Sequence, residues 1–337
     1  MNFKTEITKI HYGQSAKYMF LLVFASFFYE IASRLKNFLY DKNIINPKSV
    51  EAFVISVGNI TTGGVGKTPV VCEIAKHLIS KNKRVAIVSR GYGGRLSNRN
   101  INVISNGEKI FYDAKDAGDE PYWLASNTNA IVITSKNRYE ASKFAIENFG
   151  VTHIILDDGF QHRKLKRDLD IVLVDSEKQF GNNKLLPAGP LREGFEAFKR
   201  ADKIVVVSKN INHEKAFEYA KNLKDKTGVD TLVCKNTIDE VYNIKTKTLL
   251  PKGADISAIC AIGQPEQFYA FLSDYNIKTK ISFDDHHIYK EIELPEGIIV
   301  TTEKDAVKMQ NFKRDDIYAL RLKTVLDVEV ICQNFCL

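Results

Sequence analysis

Residues 56–71 read SVGNITTGGVGKTPVV, and no other stretch limits so strictly what the chain can fold into. An apolar, β-branched run breaks into glycines and ends on Gly66, Lys67 and Thr68. That is the pattern of a strand, a phosphate-cradling loop and a helix. Gly63, Gly64 and Gly66 let the backbone turn with positive φ and approach an anion with no Cβ in the way. Successive N–H groups along Thr61, Thr62, Gly63, Gly64, Val65 and Gly66, with the helix N-terminus after Lys67, point at the phosphates. Lys67 neutralises the β- and γ-phosphates, and Thr68 holds Mg²⁺. One departure is Thr61, which stands where the usual pattern has its first glycine. A chance GKT in a glycine-rich turn is the bland alternative; the strand before it and the helix after it argue for a nucleoside triphosphate.

From residue 51 the chain alternates apolar runs with helical stretches. Strands are expected at 51–57, 84–89, 130–134, 153–157, 169–175 and 203–208, and helices near 67–80, 119–127, 137–148 and 213–225. Continuous apolar strands separated by helices imply a mostly parallel sheet covered on both faces, an α/β fold of the P-loop NTPase type. Ligands in such sheets bind beyond the carboxyl ends of the strands. After about residue 232 the pattern changes, with strand-like pieces at 256–262, 278–283, 297–302 and 316–322 and a helix near 265–273. The expected division is an N-terminal segment (1–45), a nucleotide-binding domain (46–232) and a smaller α/β domain (233–337) that closes the cleft.

In the N-terminal segment, Tyr18 to Tyr29 carries no charge but is too short to span a bilayer. Widening the window takes in Glu30, Arg34 and Lys36. Three central charges cost about 9 kcal/mol, against roughly 3–5 returned by the apolar residues. Ile31, Leu35, Phe38 and Leu39 share one helical face, and Arg34, Lys36 and Lys42 are expected to meet anionic headgroups. The segment reads as a helix lying in a membrane interface. The alternatives are a helix packed on the protein's own core or a signal peptide, and the latter lacks a small-x-small cleavage site.

The five cysteines are scattered without a CxxC pair, which excludes a disulfide framework and a zinc site. The formal charge of +7 suits an anionic partner. Basic residues are spread along the chain and no nucleic-acid motif is present, so no nucleic acid is expected as a partner. No obligatory protein partner is inferred.

Other motifs follow the loop. HIILDDGFQH (153–162) is a buried strand ending in Asp157 and Asp158, the acidic partner that organises Mg²⁺ in such folds, directly or through water; an Asp-Asp-Gly turn is its bland reading. AGDEPYW (117–123) offers Asp119 and Glu120 either as helix-capping carboxylates or as a base and a metal ligand. SRGYGGR (89–95) is a flexible loop or a grip on a phosphorylated sugar through Arg90 and Tyr92. LLPAGPLRE (185–193) is a proline-stiffened loop holding Arg192 and Glu193 in place. Arg138, early on a helix, reads by composition as a surface residue. In FDDHHIY (283–289) adjacent histidines rarely converge on one ion, so a hydrogen-bonded Asp–His pair is expected there. TTEKDAVK (301–308) looks like a strand end capped into a helix by Thr302.

Together and in this order, the motifs SVGNITTGGVGKTP, SRGYGG, GDEP, DDGFQH, LLPAGPLRE, the FxDHH-type stretch and TEKDAVK resemble the tetraacyldisaccharide 4′-kinase family of lipid A biosynthesis. The resemblance runs along most of the chain, and a hydrophobic N-terminal helix fits it. It implies an ATP- and Mg²⁺-dependent kinase, peripheral or monotopic at the cytoplasmic face of the inner membrane. Its substrate would be the 4′-hydroxyl of an acylated glucosamine disaccharide 1-phosphate. By motif match, Asp119 would be the base and His286 its partner across the cleft, with Lys67 on the phosphates. Thr68, Glu120, Asp157 and Asp158 would manage Mg²⁺. His162, Arg192, Glu193 and Arg138 match positions near the active site, and Arg90 and Tyr92 match the lipid-side loop.

The rival class is a membrane-associated switch ATPase of the partition or septum-site kind, which also carries GGVGKT. Those proteins usually have lysine before the two glycines, where this chain has Thr62. A GTPase would want Asn/Thr-Lys-x-Asp after a late strand, and SKNI (208–211) lacks the aspartate. Loss of catalysis ranks last, since every proposed position holds a competent residue.

Overall fold

The structure, a computed structural model, describes residues 3–98, 100–209, 213–263, 265–284 and 287–333. Two helices come first, α1 (Phe3–His11) and α2 (Met19–Asp41). The nucleotide-binding part follows as β1 (Phe53–Asn59), α3 (Lys67–Ser80), β2 (Val85–Ser89), β3 (Asn102–Asn106), α4 (Ala114–Ala117), α5 (Asp119–Asn127), β4 (Ile131–Thr134), α6 (Arg138–Phe149), β5 (His153–Asp157), β6 (Leu169–Asp175), β7 (Lys203–Ser208) and α7 (Glu214–Thr227). The remainder is β8 (Thr231–Asn243), β9 (Asp255–Cys260), α8 (Pro265–Phe271), β10 (Asn276–Ser282), β11 (Ile299–Thr302), α9 (Glu303–Met309), β12 (Ile317–Val325) and α10 (Val328–Cys332).

The strands form one sheet in the order β10-β9-β11-β12-β8-β7-β6-β1-β5-β2-β4-β3. Every neighbouring pair is parallel except β3–β4 and β8–β12. The apolar strands are buried on both faces as expected. In β5, Ile155 packs into the cluster around α3, while Ile154 and Leu156 pack on the other side with Ala141 and Ala145 of α6.

The boundary expected at 232/233 falls inside β8, a strand not anticipated from the sequence. Its first half, Thr231 to Lys235, pairs with β7, and its second half, Lys235 to Asn243, pairs antiparallel with β12. Among the described residues only Lys235 pairs with both β7 and β12. Beyond β12 the chain returns to the first half, where Val328, Ile331 and Cys332 of α10 join the core around α3. The C-terminal part has its own clusters, one with Phe268, Phe271 and Leu272 under β9, the other with Met309 and Ile317.

The carboxyl ends of β1 and β5 are drawn together by Gly58. A Cβ there would lie 2.6 Å from Phe160 Cβ and 2.8 Å from Phe160 N, so only glycine lets the turn after β5 rest on β1. Gly58→Ala should lower stability by about 1–3 kcal/mol, the usual cost of overpacking. A urea denaturation curve with an unshifted midpoint would show that the turn moves aside freely.

Candidate active site

Asn59, wholly buried at the end of β1, ties the two ends of the phosphate loop together. Its Nδ2 donates to the Thr61 carbonyl at 2.7 Å, and its Oδ1 accepts from Lys67 Nζ at 3.1 Å. Thr61 is bridged to Leu191, and Thr62 N donates to Pro190 O at 2.7 Å. The LLPAGPLRE segment therefore braces the loop along its extended entry, which explains why a threonine is tolerated there. The turn itself falls on Gly63 (φ 105) and Gly66 (φ 97). Val65 is buried beneath it, and Thr68 follows Lys67 in the first turn of α3. Lys209, just past β7, donates to the Gly64 carbonyl and to Asp175 Oδ2, the latter at 2.7 Å.

The two aspartates that close β5 meet opposite environments. Asp158 sits in the left-handed region (φ 54). It accepts from Arg192 Nη1 at 3.0 Å and lies 3.4 Å from Lys67 Nζ. Burial alone would raise its carboxyl, but the Lys67 and Arg192 charges outweigh that and hold it below the usual value. Asp157 is buried, with Oδ2 accepting from Ser89 Oγ at 3.1 Å and Oδ1 without a partner among the described residues. Burial, then the charge of Glu120, pushes it up to about 7.

Arg138 corrects the surface expectation: it is only 5% exposed. Asn137 caps α6, which turns the next side chain inward; Nη1 donates to the Ser135 carbonyl at 2.7 Å, and burial lowers the guanidinium's affinity for its proton, the Asp157 charge opposing only part of that. His162 lies nearby with Nε2 buried and unpaired among the described residues. Burial, then Arg138 and neighbouring lysines, lowers it to about 4, so the ring is neutral.

Asp119 opens α5, whose cap is Gly118 with no side-chain cap hydrogen bond. Gly118 (φ 93) is needed because a Cβ would lie 2.8 Å from the Tyr92 carbonyl. Backbone contact thus sets the SRGYGG loop beside GDEP, with Arg90 and Tyr92 both exposed. Asp119 Oδ2 lies 3.6 Å from Lys308 Nζ of α9. Glu120 is exposed, yet its charge reaches Asp157.

Glu193 turns away from this group. Buried, it accepts from Arg200 Nη2 at 2.7 Å and from Asn37 Nδ2 of α2 at 2.9 Å. His286 and Asp285 lie outside the described residues. His287 stacks on Phe283 with centroids 4.2 Å apart and meets Glu293 at 3.1 Å. Among the described residues no group of three or more His, Cys, Asp and Glu is arranged to hold a metal. Asn59, Ser89, Lys209 and Lys308 were missed by sequence reasoning. Asn59 lies within the quoted loop motif and Lys308 within TEKDAVK, so position in a motif was the available signal.

α2 fastens to the same region by its polar side. Ser26 Oγ donates to Leu185 O at 2.9 Å, Tyr29 Oη donates to Arg192 O at 2.9 Å, and Lys36 Nζ donates to Gln161 O at 3.0 Å. Lys36, though exposed, therefore reaches to the DDGFQH turn instead of toward headgroups. The opposite side exposes Phe20, Leu21, Phe24, Phe27, Phe28 and Leu35, each more than half exposed. No helix among the described residues is long and apolar enough to cross a membrane.

A family model described as tetraacyldisaccharide-1-P 4′-kinase matches residues 18–335. Tetraacyldisaccharide 4′-kinase of Halothermothrix orenii is 39% identical, over 89% of this chain and 84% of that protein. Its counterpart from Desulfotalea psychrophila is 36% identical over 88% and 90%. Among solved structures, LpxK from Aquifex aeolicus, crystallised with ATP, superposes with a TM-score of 0.77 at 34% identity, covering 92% of this chain and 95% of that one. These matches do not favour the switch-ATPase alternative.

Neutral, buried His162 has a consequence for stability. Between pH 6.5 and about 4 the unfolded chain takes up the proton that the folded ring refuses, so stability falls as pH drops through that window. Asp157, held up near 7, works in the opposite direction. His162→Gln removes only the histidine contribution, so its denaturation midpoint should fall less than the parent's between pH 6.5 and 4.5. Parallel curves would contradict this.

Proposed function

This chain belongs to the tetraacyldisaccharide-1-P 4′-kinase family, and we propose the following division of labour among its residues. It is an ATP-dependent kinase of lipid A biosynthesis, transferring the γ-phosphate to the 4′-hydroxyl of a tetraacyl glucosamine disaccharide 1-phosphate. The observation that carries the residue assignment is the meeting, at the carboxyl ends of β1 and β5, of Lys67, Asp157 and Asp158, within range of the charge of Glu120.

Residues 61–68 hold the ATP phosphates, with Lys67 released from Asp158 and Asn59 onto the anion. Mg²⁺ fits this site: Asp157 Oδ1 is buried with no partner among the described residues, and a cation would relieve its repulsion with Glu120. Asp158 keeps its Arg192 partner after Lys67 leaves it, so Asp157, with Thr68 and Glu120, would hold the ion directly and Asp158 would act through water. When bound, Mg²⁺ neutralises charge on the transferring phosphates. So few protein ligands suit an ion that keeps its waters and binds phosphate.

An alcohol attacks poorly while it keeps its proton, so Asp119 accepts it. His286 would pair with Asp119 from the C-terminal part. That part would close the cleft and exclude water, limiting ATP hydrolysis. Arg192 fixes the Asp158 carboxylate, Arg138 holds the Ser135 and Asp157 carbonyls, neutral His162 lies near Arg138, and Arg90 and Tyr92 meet the lipid. α2 would lie in the interface at the cytoplasmic face of the inner membrane, with Arg34 and Lys42 toward headgroups.

Purified protein with γ-labelled ATP, Mg²⁺ and detergent-dispersed disaccharide 1-phosphate should label the lipid. Asp119→Ala should lose at least about a hundredfold in kcat; ATP hydrolysis that ignores the lipid, with no label in it, would overturn the assignment. Phe24→Glu/Phe28→Glu should weaken flotation with anionic vesicles at least tenfold, since each buried Phe is worth about 1.5–3 kcal/mol. Equal flotation would remove α2 from the interface.

A further inference from the structure

TTEKDAVK contributes more than a capped helix. Thr302 does cap α9, accepting from Asp305 N at 3.1 Å. Asp305 itself is completely buried. Its Oδ2 accepts from Ala261 N at 2.9 Å and from Thr302 Oγ1 at 2.9 Å, which fixes the carboxylate to the end of β9 and to the cap. Its remaining oxygen, Oδ1, accepts from Lys308 Nζ at 3.2 Å. The Lys308 side chain is 13% exposed, and its ammonium lies 5.9 Å from the centre of the Tyr289 ring and 3.6 Å from Asp119 Oδ2.

A lysine carries a long, flexible stem, and an exposed ion pair would gain little by ordering it. Here a rigid, buried carboxylate takes up that ordering, and the ammonium becomes a fixed point charge at the cleft. The charges alternate Asp305, Lys308, Asp119, and they cross from the C-terminal part to the nucleotide-binding part.

We propose that Lys308, anchored by Asp305, is a positioning residue for phosphoryl transfer: it holds the Asp119 carboxylate in the orientation from which it takes the hydroxyl proton. The inference rests on Asp119 being the base. It makes the seating of α9 against α5 a condition for the reaction, independently of nucleotide binding.

The test measures label transfer from γ-labelled ATP to detergent-dispersed lipid A disaccharide 1-phosphate, with full-length variants. Lys308→Met should lower kcat between about tenfold and a hundredfold, the cost of a misplaced catalytic group. KM for ATP and for lipid should stay within about twofold. Lys308→Arg should recover most of the loss, and Asp305→Asn should reproduce it. On an Asp119→Ala background, Lys308→Met should cost nothing further. Lys308→Gln keeps the stem and a donor to Asp305, so the measurement survives a Met variant that melts early. Wild-type kcat in both charge-removing variants overturns the proposal. So does a loss that multiplies with Asp119→Ala, or one confined to the KM for lipid, which would make Lys308 a substrate contact. If Asp119→Ala itself keeps full kcat, the base assignment has failed and the proposal falls with it.

Discussion

Lys67 cannot rest at the head of the sheet beside the Arg192 guanidinium without a fixed counter-charge. Asp158 supplies that charge, 3.4 Å from the ammonium and 3.0 Å from the Arg192 guanidinium. Several features serve this contact. Gly58 lets the Asp-Asp-Gly turn settle on β1. Asn59 holds the other side of the lysine. Pro190 and Leu191 brace the loop that presents it. Asp157 bears the cost: with the nearby cations engaged by its neighbour, it stays buried, short of one partner among the described residues and reluctant to ionise. An acceptor left in that condition is well suited to a divalent cation.

Local pattern made the elements of the nucleotide-binding part legible, since a buried parallel strand must be apolar throughout and a phosphate loop must be rich in glycine. The α5 helix expected at 119–127 is Asp119–Asn127, and the strand expected at 169–175 is Leu169–Asp175. β3 was invisible because NVISN is short and its asparagines and serine leave no apolar run. β8 was missed because its inner half is only partly buried, so it lacks the apolar run of its neighbours. In the site, the residues that touch phosphate chemistry directly could be named from motif. The ones that hold them could not. Lys308 meets Asp119 across the whole second half of the sequence, and Arg138 reads as an ordinary surface arginine until the turn before α6 aims it inward.

α2 inverts the usual amphipathic arrangement. Its serine, tyrosine, asparagine and lysine face the protein and are hydrogen-bonded to it, while its phenylalanines face outward. A sequence shows that apolar and polar residues lie on opposite sides of such a helix, but not which side turns inward. Besides the DDGFQH turn, the anchor points are the backbone of residues 185–192 and the Glu193 carboxylate, the same segment that braces the phosphate loop. The outward apolar surface and the nucleotide loop therefore share one rigid mount.

β8 passes from one half of the protein to the other with a single described residue, Lys235, paired to both β7 and β12, and β12 runs back beside it. Two laced strands behave differently from a flexible tether. Bending them sideways in the plane would break rungs of the ladder, whereas winding or unwinding them leaves every rung intact. The irregularity between Arg321 and Leu322 on β12 adds local coiling of the kind bulges produce. Of the motions open to this strand pair, rotation along its own length is the one that costs no rung.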